Sequence, residues 1–218
     1  MRNPKSRWVV FDGPNGAGKT TLLGEVESRL RKVNRSVVVT REPAVPSNGI
    51  MALGERILME HDLSPTEEAA LFGLLRYYNE GEFVLPALAR PRPTIVLQSR
   101  GILSSMVYQY FLAGDVSSTT RSHVWDIILE GRYFGKEVPD LVVICCVDKK
   151  TVRDRIGVGY ERIERSRSLD AIAVFDEVLK NERKIPRRFV GKKVIGVPTK
   201  HEADIDKAVV VVMEELEI

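Results

Sequence analysis

Gly13-Pro14-Asn15-Gly16-Ala17-Gly18-Lys19-Thr20 decides the fold of this 218-residue chain. The stretch fits G-x-x-x-x-G-K-[ST], a loop whose glycines let the main chain wrap until its N–H groups point inward at phosphate oxygens. Such a loop needs a strand before it and a helix after it. Trp8–Phe11 supplies an apolar strand, and Leu22, Leu23, Val26 and Leu30 recur at helical spacing behind it. The N-terminus of that helix turns its positive dipole end toward the bound anion. Lys19 is then expected on the β- and γ-phosphates and the Thr20 hydroxyl on Mg²⁺. The whole run from Gly13 to Thr20, with Thr21, is the expected ATP-binding segment.

Outward from the loop, short apolar runs alternate with longer helical patterns. Val37–Thr40, Thr94–Gln98, Leu141–Val147 and Lys193–Val197 read as further strands. They are mostly apolar throughout, as parallel strands are when helices cover both faces. Helical patterns cover roughly 18–33, 49–61, 65–90, 101–113, 118–131, 168–184 and 201–217. Ser64-Pro65-Thr66-Glu67-Glu68 starts one of them: an N-cap serine, proline at the first helical position, acids in the first turn. Within that helix Leu71, Leu74, Leu75 and Tyr78 are expected to form a core stripe, with Phe72, Arg76 and Asn79 offset by one residue. The expected fold is therefore α/β, a three-layer sandwich around a five-stranded parallel sheet of the P-loop nucleotide-binding type. Pro91-Arg92-Pro93 is a turn and not a linker, so residues 1–218 are expected as one domain.

Composition narrows the function. Thirty-three Lys and Arg against 30 Asp and Glu leave a formal charge of +3, too little for a surface built around nucleic acid or an anionic membrane. No apolar run approaches the ~18 residues of a membrane helix, and MRNPKSR is not followed by the apolar run of a signal peptide. Cys145 and Cys146 are adjacent and allow no disulfide framework. A cytoplasmic enzyme is the expectation. His61, His123 and His201 lack ligand spacing, and no nucleophile elbow occurs. Without an N-K-x-D-like base reader, and with one phosphate loop in a short chain, a small-molecule kinase is expected.

Read in order, the loop, Thr40-Arg41-Glu42-Pro43, Leu71-Phe72-Gly73-Leu74-Leu75-Arg76, Arg100 with Ser104-Ser105 and Tyr108-Gln109, Pro139-Asp140-Leu141 and Glu161-Arg162-Ile163-Glu164 resemble the thymidylate kinase family from about residue 7 to 185. The resemblance implies ATP-dependent phosphorylation of a deoxynucleoside monophosphate, most plainly dTMP to dTDP, with Mg²⁺, in a homodimer whose interface involves the 101–131 helices. It implies Phe72 and Arg76 on the base, Arg41 on the acceptor phosphate, and Arg100 between donor and acceptor phosphates. Ser105 and Tyr108 match positions at the base and at the sugar 2′ carbon, and Gln109 completes the family's Tyr-Gln pair. Because Gly16 stands where some members carry Arg, a lid near 151–167 is implied to supply the catalytic cation, with Arg155 and Arg162 as the candidates. Gly157 and Gly159 read as its hinges.

Two positions depart from that pattern. Ser99 stands where the family has the Asp of its Asp-Arg pair, and Asn15 replaces an acid at the sugar 3′-hydroxyl. A serine hydroxyl supplies no charge near a metal. Glu42, at the neighbouring strand tip, is then expected to compensate as a metal ligand beside Thr20. Another pyrimidine or modified acceptor, or a nucleotide-binding protein that has lost catalysis, are the alternatives that Ser99 raises.

Overall fold

The computed structural model describes residues 2–42, 49–114, 116–130, 137–156, 162–180 and 190–218; of residues 50, 51, 55, 59 and 162–166 it describes the backbone. Five strands, β1 (Arg7–Asp12), β2 (Ser36–Arg41), β3 (Thr94–Ser99), β4 (Leu141–Cys146) and β5 (Lys193–Pro198), lie in the order β2-β3-β1-β4-β5. Every pairing is parallel, with Phe11 beside Ser99 and Arg41 beside Ser99 on its other edge. The expected five-stranded parallel sheet is therefore present. Its strands end together, so Asp12, Arg41 and Ser99 line one rim.

Side chains alternate across the sheet and build two cores. Trp8, Val10, Val96, Val142 and Ile144 pack on one face against Met106, Val107, Ala171 and Phe175. Val9, Phe11, Leu97, Val143 and Cys145 face the other way, against Leu22, Val26, Leu30, Val209 and Val212. The first face is covered by α3 (Pro65–Asn79), α4 (Leu85–Leu88), α5 (Ile102–Ser105), α6 (Ser118–Glu130) and α8 (Arg162–Lys180), with α2 (Ile50–Glu60) packed on α3; the second is covered by α1 (Lys19–Lys32) and α9 (Glu202–Glu215). Cys145 and Cys146 fall on opposite faces, as adjacent strand residues must.

Three features depart from the sequence reading. The patterns at 65–90 and 101–113 are not single α-helices: π-helical turns occupy Glu80–Val84 and Met106–Phe111. Overlapping the start of the expected lid, Lys149–Ile156 forms α7. The core stripe of α3 is also different. Leu75 is buried, but Leu74 is 50% and Tyr78 37% exposed, while Arg76 and Asn79 have almost no exposure. That helix turns polar groups inward because they meet bonding partners there, and leaves apolar ones outside. Pro43, Gly157, Gly159 and Glu161 lie outside the described residues.

Candidate active site

Parallel sheets bind ligands beyond their carboxyl ends, where the chain's strand order reverses. Here β1 lies between β3 and β4, and the loops after β1 and β3 face one another. Gly13, Gly16 and Gly18 take φ of 135°, 76° and 85°, values open to glycine and costly for other residues. At Gly13 space is short as well, since a Cβ would stand 2.9 Å from the Cys145 carbonyl. Inside this cradle the Lys19 ammonium donates to the carbonyls of Gly13 (2.9 Å) and Pro14 (2.7 Å). Burial, with the Arg100 guanidinium nearby, brings the Lys19 amine down to about 7. An arriving phosphate would reverse that balance by supplying the missing negative charge.

Asp12, the last residue of β1, belongs to this centre and was missed by motif reading. It is wholly buried and accepts from Gly13 N (2.9 Å), Gly101 N (3.3 Å), Ser104 N (3.1 Å) and Ser104 Oγ (2.5 Å). Burial raises its carboxyl above the usual range, against the opposing pull of Ser104 and Gly13. One carboxylate thus ties the phosphate loop to the turn that carries Arg100. Its signal was a lone acid closing an apolar strand, since buried acids need partners.

Arg100 sits at the tip of β3 with φ 69°, a left-handed conformation uncommon outside glycine. Its N–H donates to the Phe11 carbonyl at 2.8 Å, its guanidinium bonds the Asn15 side chain, and it lies 5.7 Å from the centre of the Tyr108 ring. The Tyr108 hydroxyl accepts from Asn15 N at 3.2 Å. The Gly13–Thr20 loop, Arg100 and Tyr108 are therefore one contact group.

A second group lies beside it. Arg76 is buried, with Nε donating to both Glu42 oxygens (3.1 and 3.0 Å), and Nη2 2.9 Å from Glu42 and 2.7 Å from Ser105 Oγ. Gln98 Nε2 completes the set, donating to Glu42 at 2.7 Å and to the Arg100 carbonyl at 2.9 Å. Burial pushes the Glu42 carboxyl up while Arg76 pulls it down. Both oxygens of Glu42, expected as a metal ligand, are instead engaged by Arg76 and Gln98, so the acid fixes a guanidinium. Gln98, unremarked in the sequence, joins the two groups. Ser99 carries no charge and accepts through its carbonyl from Glu42 N at 2.8 Å. Among the described residues no cluster of three His, Cys, Asp or Glu side chains is arranged for a metal ion.

The other expected residues are distributed around this centre. Phe72 is half-buried on the same face of α3 as Arg76, and Arg41 is exposed at the tip of β2. Thr20 is exposed at the start of α1. Gln109 lies further out, donating to Glu68 at 3.2 Å. Arg155, in the last turn of α7, reaches back to the phosphate loop, donating to the carbonyls of Gly16 (3.1 Å), Thr199 (2.8 Å) and Lys200 (2.7 Å). It borders a cavity of about 550 Å³ that Gly16, Gly18, Thr21, His201, Glu202 and Ile205 help to line. Arg162 begins α8, and its side chain is outside the described residues.

Known proteins resemble this chain in sequence and in fold. The family profile described as thymidylate kinase matches residues 11–204. A thymidylate kinase of Geobacillus thermodenitrificans is 31% identical over 194 residues, covering 85% of this chain and 79% of its own. One from Halalkalibacterium halodurans is 30% identical over 208 residues, covering 93% and 89%. The crystal structure of thymidylate kinase from Ehrlichia chaffeensis superposes with a TM-score of 0.62 at 23% identity, over 99% of this chain and all of that one. That last likeness speaks for the fold.

Proposed function

Because the chain belongs to the thymidylate kinase family of phosphotransferases, we propose that it transfers the γ-phosphoryl group of ATP to dTMP, giving dTDP. The observation that carries this reading is Arg100, held at a left-handed turn between Asn15 of the phosphate loop and the ring of Tyr108. A cation in that position can serve both phosphates at once. Phosphoryl transfer is mainly charge placement, since the reacting oxygens repel one another until cations intervene.

The triphosphate lies in the Gly13–Thr20 loop under Lys19, and the adenine enters the cavity beside Arg155 and His201. The acceptor base stacks on Phe72 and meets the fixed guanidinium of Arg76 with Ser105, while Arg41 holds its phosphate. Tyr108 stands at the sugar 2′ carbon. An acceptor phosphate oxygen attacks the γ-phosphorus in line, the β–γ bridge oxygen leaves with its electron pair, and Lys19, Arg100 and Arg155 with Arg162 stabilise the equatorial charge. The donor set suits Mg²⁺ carried in with the nucleotide: the exposed Thr20 hydroxyl, phosphate oxygens and water would hold it, and bound there it neutralises charge on the β- and γ-oxygens. The chain works as a homodimer. Leu74, Tyr77, Tyr78 and Phe83 are exposed on α3 and the π turn after it, and α3 packs on α6. The interface therefore extends from the 101–131 region to α3.

A panel of nucleoside monophosphates in an ADP-release assay tests the reading. Turnover is expected with dTMP and falls steeply for purines; equal rates across bases would remove Phe72 and Arg76 as base readers. Ser99 favours a second reading, binding without transfer. Tight dTMP and ATP binding with no diphosphate formed at high enzyme and Mg²⁺ would establish it.

A further inference from the structure

Tyr108 is held from a side that the transfer reaction does not require. Its hydroxyl accepts from Asn15 N, and the side chain of Ser168, a residue with no exposure in α8, lies within reach of it. Its main-chain carbonyl accepts from Arg167 Nη2 at 2.6 Å. That carbonyl lies in the π-helical segment Met106–Phe111 that continues α5, where carbonyls near the C-terminal end lack partners within the helix. A guanidinium there satisfies one of them and opposes the negative end of the dipole. Ser168 therefore fixes the tip of the Tyr108 side chain, and Arg167 fixes its backbone.

Arg167 makes a second attachment. It lies 3.5 Å from Glu68, the carboxylate that also accepts from Gln109. Glu68, Phe72 and Arg76 recur four residues apart, so they share one face of α3. The cation is thus anchored on the helix face whose later turns carry Phe72 and Arg76. It is held there although its Nε is buried without a partner among the described residues. Such an unmet donor is costly, and placement of Tyr108 gives this guanidinium a reason to be there.

We infer that Arg167 and Ser168 are positioning residues for Tyr108, and that this pair on α8 sets how closely the acceptor site discriminates deoxyribose from ribose. The inference rests on the proposed place of Tyr108 at the sugar. Shifting a ring edge by a few tenths of an ångström opens or closes the space a 2′-hydroxyl needs. A tyrosine tied at hydroxyl and carbonyl has little freedom to shift. On this reading each acts only through the tyrosine.

The test measures dissociation constants by calorimetry for dTMP and for its 2′-hydroxyl counterpart, which requires no turnover. Wild type, Tyr108→Phe, Ser168→Ala, Tyr108→Phe/Ser168→Ala, Arg167→Gln and Arg167→Lys are compared. Ser168→Ala is expected to lower the deoxyribose preference about 3- to 10-fold, the range of one hydrogen bond, with ATP affinity unchanged. In the Tyr108→Phe background the same substitution should have no further effect, because the bond it removes is already gone. Arg167→Gln should lower the preference and Arg167→Lys should recover part of it, whichever of the two folds better. An unaltered preference in Ser168→Ala and both Arg167 variants, while Tyr108→Phe loses it, would overturn the inference and leave the acceptor reading intact. Full effects of Ser168→Ala in both backgrounds would overturn it as well. A wild-type preference in Tyr108→Phe would overturn the inference as well, since that variant keeps the ring at the sugar and loses only the hydroxyl through which Ser168 acts.

Discussion

Lys19 is the residue whose chemistry changes most when the site fills. With its amine at about 7 in the free protein, it is largely uncharged at pH 8, and phosphate binding should restore its charge. ATP binding at pH 8 is therefore expected to take up close to one proton per site, read by calorimetry in buffers of different ionisation enthalpy. Lys19→Arg, which cannot deprotonate, should take up almost none. The same shift makes free-protein stability rise as pH climbs from about 7 toward 10.5, because the unfolded lysine keeps its proton over that window. Glu42 offers a second case. Glu42→Gln leaves the buried Arg76 without its counter-charge and should cost about 3–5 kcal/mol in urea unfolding. The Mg²⁺ titration midpoint of the folded variant should stay where it was, since the carboxylate serves a guanidinium; a large rise would return Glu42 to the metal. The sequence exposed Lys19 because a loop motif names it. It concealed the roles of Glu42, Gln98 and Asp12, which lie at the ends of three different strands and are joined by no fixed spacing.

Among the elements, α3 was both the easiest to find and the easiest to misread. Its start is local: Ser64 Oγ accepts from Glu67 N at 3.3 Å while the Glu67 carboxylate accepts from Ser64 N at 2.9 Å, with Pro65 next. Ser64→Ala should cost about 1 kcal/mol, measured by chemical denaturation. The Glu67 carboxyl is held below its usual range by the Ser64 hydroxyl, which donates to it at 2.7 Å, and by Ser64 N. Its contribution is therefore complete above pH 4.5 and is lost as pH falls through the lowered value. The buried face is set by tertiary partners instead: periodicity favoured Leu74 and Tyr78, but Glu42, Ser105 and Thr40 are what draw Arg76 and Asn79 inward. The two π turns left no compositional trace, and Lys149–Ile156 was hidden among charges that read as a closing segment.

For the whole molecule, the sheet was legible because continuous apolar strands separated by helices leave few arrangements. The exposed apolar side chains of α3 were not, since sequence alone placed two of them in the core. If they meet a second chain, wild-type protein should sediment at twice the chain mass, and Leu74→Glu should shift it toward the monomer without lowering helical content. The strand order has one more consequence. β1 leaves the ribosome first, yet both its neighbours are made later, β3 only from Thr94 onward. At ~5–20 residues per second, Trp8-Val9-Val10-Phe11 waits several seconds with its main-chain edges unsatisfied, an adhesive segment with nowhere native to go. Newly made chains should therefore be most vulnerable to clumping early in translation, and a holdase that grips the first dozen residues would raise yield more than one acting on the finished protein.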